Sequence, residues 1–160
     1  MKLEEIYNLL DNLSPFSFQE KWDNAGLLVG SLDDEIKNIY ISIDLDEELV
    51  LNVKENSLII THHPLIFTGL KKINYDTYSS KLLRELIKKN ISLISMHTNI
   101  DKSHLNKYFI ENILGFKIIN TNEFISYCDV NMNFNELVKY VSLKVGLKTT
   151  KVVKCNDFIE

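Results

Sequence analysis

The sequence predicts an α/β protein, a mostly parallel β-sheet flanked by helices. Three observations lead there. Short runs rich in β-branched residues alternate with longer stretches whose apolar residues recur at helical spacing, the pattern of βα units. The run Leu58-Ile59-Ile60 is apolar without alternation, as in a strand buried on both faces. Polar side chains stand just past three predicted strands, at Asp44, at His62-His63 and at His97. The carboxyl ends of parallel strands are where open α/β sheets bind ligands.

The elements follow in order. Leu3, Ile6, Tyr7, Leu10 and Leu13 share one face of a first helix, which Ser14-Pro15 ends. Residues 16–24 read as a loop or short helix and carry the only tryptophan, Trp22. Gly26-Leu27-Leu28-Val29-Gly30 is a short strand between glycines, and 31–35 is a turn. Ile39-Tyr40-Ile41-Ser42-Ile43 is a strong strand ending at Asp44. Residues 47–54 form a short returning helix, and 58–61 the buried strand. Residues 77–89 form a helix with Tyr78, Leu82, Leu83, Leu86 and Ile87 inward. Lys88-Lys89 closes it, where the helix dipole favours positive charge.

Residues 91–96 are the next strand. Ser103 is expected to cap a helix through Leu114, with Gly115 just past its end. Residues 133–145 read as a helix stopped by Gly146, and Lys151-Val152-Val153 as a strand. Strands 39–43, 58–61 and 91–95 are expected to be neighbours in one sheet, with Asp44, His62 and His97 at the same edge.

A chain of 160 residues is long enough for one core. Apolar residues make up 45% and charged residues 25%, as in an ordinary globular protein. The net charge of -4 gives no electrostatic basis for binding nucleic acid or an anionic membrane surface. No apolar run approaches membrane-spanning length, and Met-Lys-Leu-Glu-Glu is not a signal peptide. A cytoplasmic protein is expected. Cys128 and Cys155 are isolated, without CxxC spacing, and are expected to be small buried thiols.

Walker-type, GxGxxG and GxSxG motifs are absent from the sequence. Metal-assisted chemistry is the one enzymatic reading with positive support, because imidazole and carboxylate together suit zinc, manganese or iron. Neighbours in an extended strand point to opposite faces. His62 and His63 would therefore serve two close ions rather than grip one, with Pro64 holding His63 extended. A HisHis pair alone is more often a hydrogen-bonded core or surface feature. The strand-end position and the second cluster, His97 and Asp101, reverse those odds.

Asp101 reads equally as a carboxylate orienting a ligating histidine or as a helix-start acid favoured by the dipole. His104 is expected to face solvent, and Asp46, Glu47 and Glu48 to begin a helix. Trp22-Asp23-Asn24-Ala25-Gly26 reads by itself as a turn.

Three segments in order, Trp22-Asp23-Asn24-Ala25-Gly26-Leu27, Thr61-His62-His63-Pro64-Leu65-Ile66-Phe67 and His97-Thr98-Asn99-Ile100-Asp101, resemble the NIF-three-like dinuclear metal-centre proteins. Members are often called GTP cyclohydrolase 1 type 2. The resemblance implies an α/β fold, a ring-shaped hexamer and two divalent metal ions (zinc, manganese or iron). By motif match, His62, His63 and Asp101 fall on metal-binding positions. His97 falls near the site, where it would orient a ligand or touch substrate. Residues 1–160 match the N-terminal portion of such proteins. The later His-x-x-x-Glu motif that completes the family's site is absent from this sequence, so weak or partial metal binding and an aggregation-prone chain are expected.

The implied activity is a metal-dependent hydrolase-like reaction on a guanine nucleotide or related small molecule, with no catalytic residue assigned. The rival is a non-enzymatic metal-binding interaction scaffold. Turnover of GTP abolished by His63→Ala would separate the two.

Overall fold

The protein is described by a computed structural model, in which residues 1–159 are described. The chain divides into two compact units, Met1–Ile100 and the residues from Asp101 onward.

The first unit is built on a four-stranded sheet. Its strands are β1 (Gly26–Val29), β2 (Asn38–Ser42), β3 (Ser57–Thr61) and β4 (Ser92–Ser95), in the order β1-β4-β3-β2. β2 with β3 and β3 with β4 are parallel, and β1 lies antiparallel on β4. Ser42 pairs with Thr61, and Thr61 with Ser95, so three strands end level at one edge. The expected neighbour relations of the three parallel strands hold.

Burial follows the pleat. Leu58 and Ile94 point to one face, where they join Leu3, Ile6 and Leu10 of helix α1 (Leu3–Leu13), together with Phe16, Ile36 and Met96. Ile59 and Leu93 point to the other. There they meet Val50 of α2 (Glu47–Asn52) and Leu82 and Leu86 of α3 (Tyr78–Lys88). Both central strands are therefore covered on both sides, which is why their sequences are continuously apolar.

The caps agree with the sequence. Asp46 accepts a hydrogen bond from the Leu49 amide at the start of α2. At its other end, Lys89 Nζ donates to the carbonyls of Val50, Leu51 and Val53, tying the α2 C-terminus to the end of α3. Edge strand β2 is covered on one face only. Tyr40 packs on the α2–α3 side, whereas Ile41, on the other, is 80% exposed.

Several expectations are corrected. Tyr78 and Ile87 of α3 face solvent, because the buried stripe is narrower and runs through Ser80, Leu82, Leu83 and Leu86. The helix expected from Ser103 begins earlier: the helical run spans 98–114 and includes π turns at Asp101–Leu105 and Phe109–Leu114. Gly115 ends it in the left-handed conformation, φ 75°, as expected of its position.

The second unit holds an unanticipated hairpin, β5 (Ile118–Asn122) and β6 (Ile125–Cys128), and a helix Phe134–Lys144. Lys151-Val152-Val153 is not a strand. The late pairing is instead β7 (Met132–Asn133) with β8 (Phe158–Ile159), which leaves Val153 in solvent. Neither cysteine is buried: Cys128 is half-buried and Cys155 exposed. Among the described residues, no helix is long and apolar enough to cross a membrane.

Candidate metal centre

The level strand ends deliver the site. The chain leaves β3 at Thr61 and bends. Backbone amides of His62 and His63 both donate to the Ile43 carbonyl, at 3.2 and 3.0 Å. The Thr61 hydroxyl donates to the His63 carbonyl at 3.0 Å and is itself paired with Ser95 Oγ at 2.8 Å. The bend overturns the expectation that the two rings diverge. The backbone is no longer extended there, so strand alternation does not apply, and the ring centroids lie 4.9 Å apart.

His97 follows β4 by two residues. Its ring lies 5.1 Å from that of His62 and 5.7 Å from that of His63. One nitrogen from each of the three imidazoles lies within 4.8 Å of the others, a spacing that suits a shared metal ion.

Each imidazole is oriented through Nδ1. His62 Nδ1 donates to the Met96 carbonyl at 2.9 Å. His63 Nδ1 donates to Asp44 Oδ1 at 2.7 Å, and His97 Nδ1 to Asp23 Oδ1 at 2.8 Å. A carbonyl or carboxylate partner requires the proton on Nδ1, which directs coordination through Nε2. The donor set therefore fits a divalent cation of the zinc, manganese or iron type.

Asp23 is the most constrained group of the site. Its carboxylate is fully buried and also accepts from the amide and hydroxyl of Thr98. Burial alone would raise its pKa. The hydrogen bonds from Thr98, His97 and the Asn24 amide outweigh that and hold the carboxyl below the usual range. Asn99, wholly buried, steadies the same turn: its Oδ1 accepts from the His97 amide and its Nδ2 donates to the Ser14 carbonyl.

Of the residues singled out from the sequence, His62, His63 and His97 converge, and Asp44 supports His63. Asp101 is half-buried and opens the second unit. His104 is exposed, with Nδ1 bonded to Ser103 Oγ. Asp23, read from sequence as part of a turn, was missed. Its partner lies 74 residues away, and only the position of the acid inside the Trp22-Asp23-Asn24 segment hinted at it.

Comparison with known proteins identifies relatives over nearly the whole chain. The family model described as Duf34/NIF3 (NGG1p interacting factor 3) matches residues 1–158. A Campylobacter jejuni protein named GTP cyclohydrolase 1 type 2 homolog is 54% identical over 155 residues, covering 97% of this chain and 64% of that protein. Helicobacter pylori GTP cyclohydrolase 1 type 2 is 42% identical over 159 residues, 99% of this chain and 65% of its own length. The chain thus spans just under two thirds of these relatives. Among solved structures, Staphylococcus aureus protein SA1388 superposes with a TM-score of 0.74 at 25% identity, over 93% of this chain and 66% of the other. Reduced HcgD from Methanocaldococcus jannaschii superposes at 0.72, also at 25% identity, over 89% and 60%.

Proposed function

The chain belongs to the Duf34/NIF3 family, and on that premise we propose that its histidine cluster is the metal-holding part of a hydrolase-like site of the GTP cyclohydrolase 1 type 2 kind. One observation carries the reading: three imidazoles converge from two strand ends, each with Nδ1 fixed by an acceptor.

His62, His63 and His97 would hold the cation, with Nε2 the nitrogen left open for it. Asp44 and Asp23 orient the rings of His63 and His97, and the Met96 carbonyl does the same for His62. A bound divalent ion supplies a lowered water pKa and polarises a substrate oxygen or ring carbon. The substrate class is a guanine nucleotide or a related small molecule, and the setting cytoplasmic. A second ion, with Asp101 among its ligands, and a hexameric assembly are carried by the motif resemblance.

The test is a zinc or cobalt titration of the protein, followed by incubation with GTP and chromatography of the products. Metal binding that His63→Ala weakens by at least tenfold, with turnover lost in parallel, is the expected result. Affinity unchanged in His63→Ala sinks the metal reading. Metal bound without turnover favours a metal-binding interaction scaffold, for which the exposed face of β2 around Ile41 offers a surface.

A further inference from the structure

Beside the histidines lies a pair of aromatic rings that metal binding does not use. Trp22 is 59% exposed and Phe67 47% exposed. Their centroids are 5.9 Å apart with planes tilted by 50°, so neither ring covers the face of the other. The indole and the His97 ring also stand in a T-shaped arrangement, at 6.3 Å and 79°. Large aromatic rings left in water forgo much of the burial that usually stabilises them.

The pair is held in place from beneath. Asn24 Nδ2 donates to the Ile66 carbonyl, joining the loop that carries Trp22 to the loop that carries Phe67. Asp23, the next residue after Trp22, is pinned by His97 and Thr98. Exposed rings on an anchored frame are pre-organised for a ligand.

We propose that Trp22 and Phe67 form a stacking subsite for a planar heteroaromatic ring of the nucleobase class, presented beside the histidine cluster. The proposal rests on the reading of that cluster as the reaction site and adds the residues that grip the substrate ring. Aromatic side chains stack on bases through faces that every base possesses. Among the described residues, cation–π contacts fall on Tyr75, Phe124, Tyr140 and Phe134, and not on Trp22 or Phe67. Among the described residues, neither the Trp22 ring nor the Phe67 ring is thus taken up by a side-chain cation.

Trp22 is the sole tryptophan, so its emission reports the subsite directly. Guanosine is titrated into the protein, with N-acetyltryptophanamide as the reference for trivial quenching and ribose 5-phosphate as the ring-free control. Saturable quenching by guanosine alone is expected. Phe67→Ala should weaken it about tenfold and Phe67→Tyr should retain it, both with unchanged circular dichroism.

Quenching no steeper than the reference, or a guanosine affinity equal in Phe67→Ala and the parent, overturns the proposal. So does a blue-shifted emission that moves with protein concentration, which would mean that a second copy covers Trp22. Cobalt binding measured on the same samples separates the two readings. Quenching lost with cobalt bound removes the stacking subsite alone, and cobalt unbound with quenching intact removes the metal reading alone.

Discussion

Asp23 and His97 share a 2.8 Å hydrogen bond across 74 residues of sequence, and the same carboxylate also holds the Thr98 amide. Because Asp23 is kept ionised, it can only accept, and the proton must lie on His97 Nδ1. One buried acid therefore fixes both the tautomer of the ring and the start of the helical run behind it.

Replacing Asp23 should separate these two effects. Asp23→Asn is expected to weaken zinc binding by about 10–100-fold, as loss of a group that orients a ligating histidine generally does. Asp23→Ala should also destabilise the fold by about 1–3 kcal/mol, since the Thr98 amide loses its acceptor. Isothermal titration and denaturant unfolding of the two variants check this. Equal zinc affinity in Asp23→Asn would show that the bond does not serve the metal.

Added metal should stabilise the protein. At a free zinc concentration about 100 times Kd, the gain is about 2.7 kcal/mol, visible as a raised Tm and reversed by chelator. The increment should vanish in His62→Ala. Thermal scans at matched protein concentration measure it.

Core and edge of the sheet should respond differently. Leu58→Ala, at a fully buried position between α1 and the sheet, is expected to cost about 2–5 kcal/mol. Ile41→Ala, on the open face of β2, should change stability by no more than about 0.5 kcal/mol. Urea midpoints of the two variants provide the comparison.

Gly30 adopts φ +104°, and a Cβ there would lie 2.5 Å from Ser92 Oγ and 2.8 Å from Asp34 Oδ2. Those two atoms form a 2.9 Å hydrogen bond that locks the turn after β1 onto β4. Gly30→Ala should therefore cost more than about 1 kcal/mol through backbone strain and displacement of the pair. An unchanged unfolding midpoint would contradict it.

The two thiols should react at different rates. Burial, with Asp129 and Glu111 nearby, raises the Cys128 pKa, so its thiolate forms only at higher pH. Cys155 is exposed. Near neutral pH, iodoacetamide should label Cys155 first, and the gap should narrow as the solution becomes alkaline. Peptide mass spectrometry over a pH series reads both sites.

Sequence and structure agree where one physical signal dominates. Uninterrupted burial made β3 legible, and strand-end polarity placed His62, His63, His97 and Asp44 at one edge. Agreement fails where local rules meet tertiary contacts. Alternation predicted diverging rings, but the Ile43 carbonyl draws two successive amides and bends the chain. Capping chemistry favoured Ser103 as a helix start, while the helical run begins at Thr98, held by Asp23. The β5–β6 hairpin lacks the Asn-Gly type of turn signal, turning instead through Glu123 at φ 52°.

The two amide bonds to the Ile43 carbonyl bear on how the protein assembles over time. Asp44 follows β2, His62 and His63 follow β3, His97 follows β4, and Asp23 precedes β1. The five groups flank four different strands. Each parallel pairing must close a long loop before its contacts form, which makes such sheets slow to nucleate. Cation affinity should therefore arise late in refolding, in step with closure of the sheet rather than with helix formation. A metal-sensitive dye followed through refolding would act as a clock for strand registration.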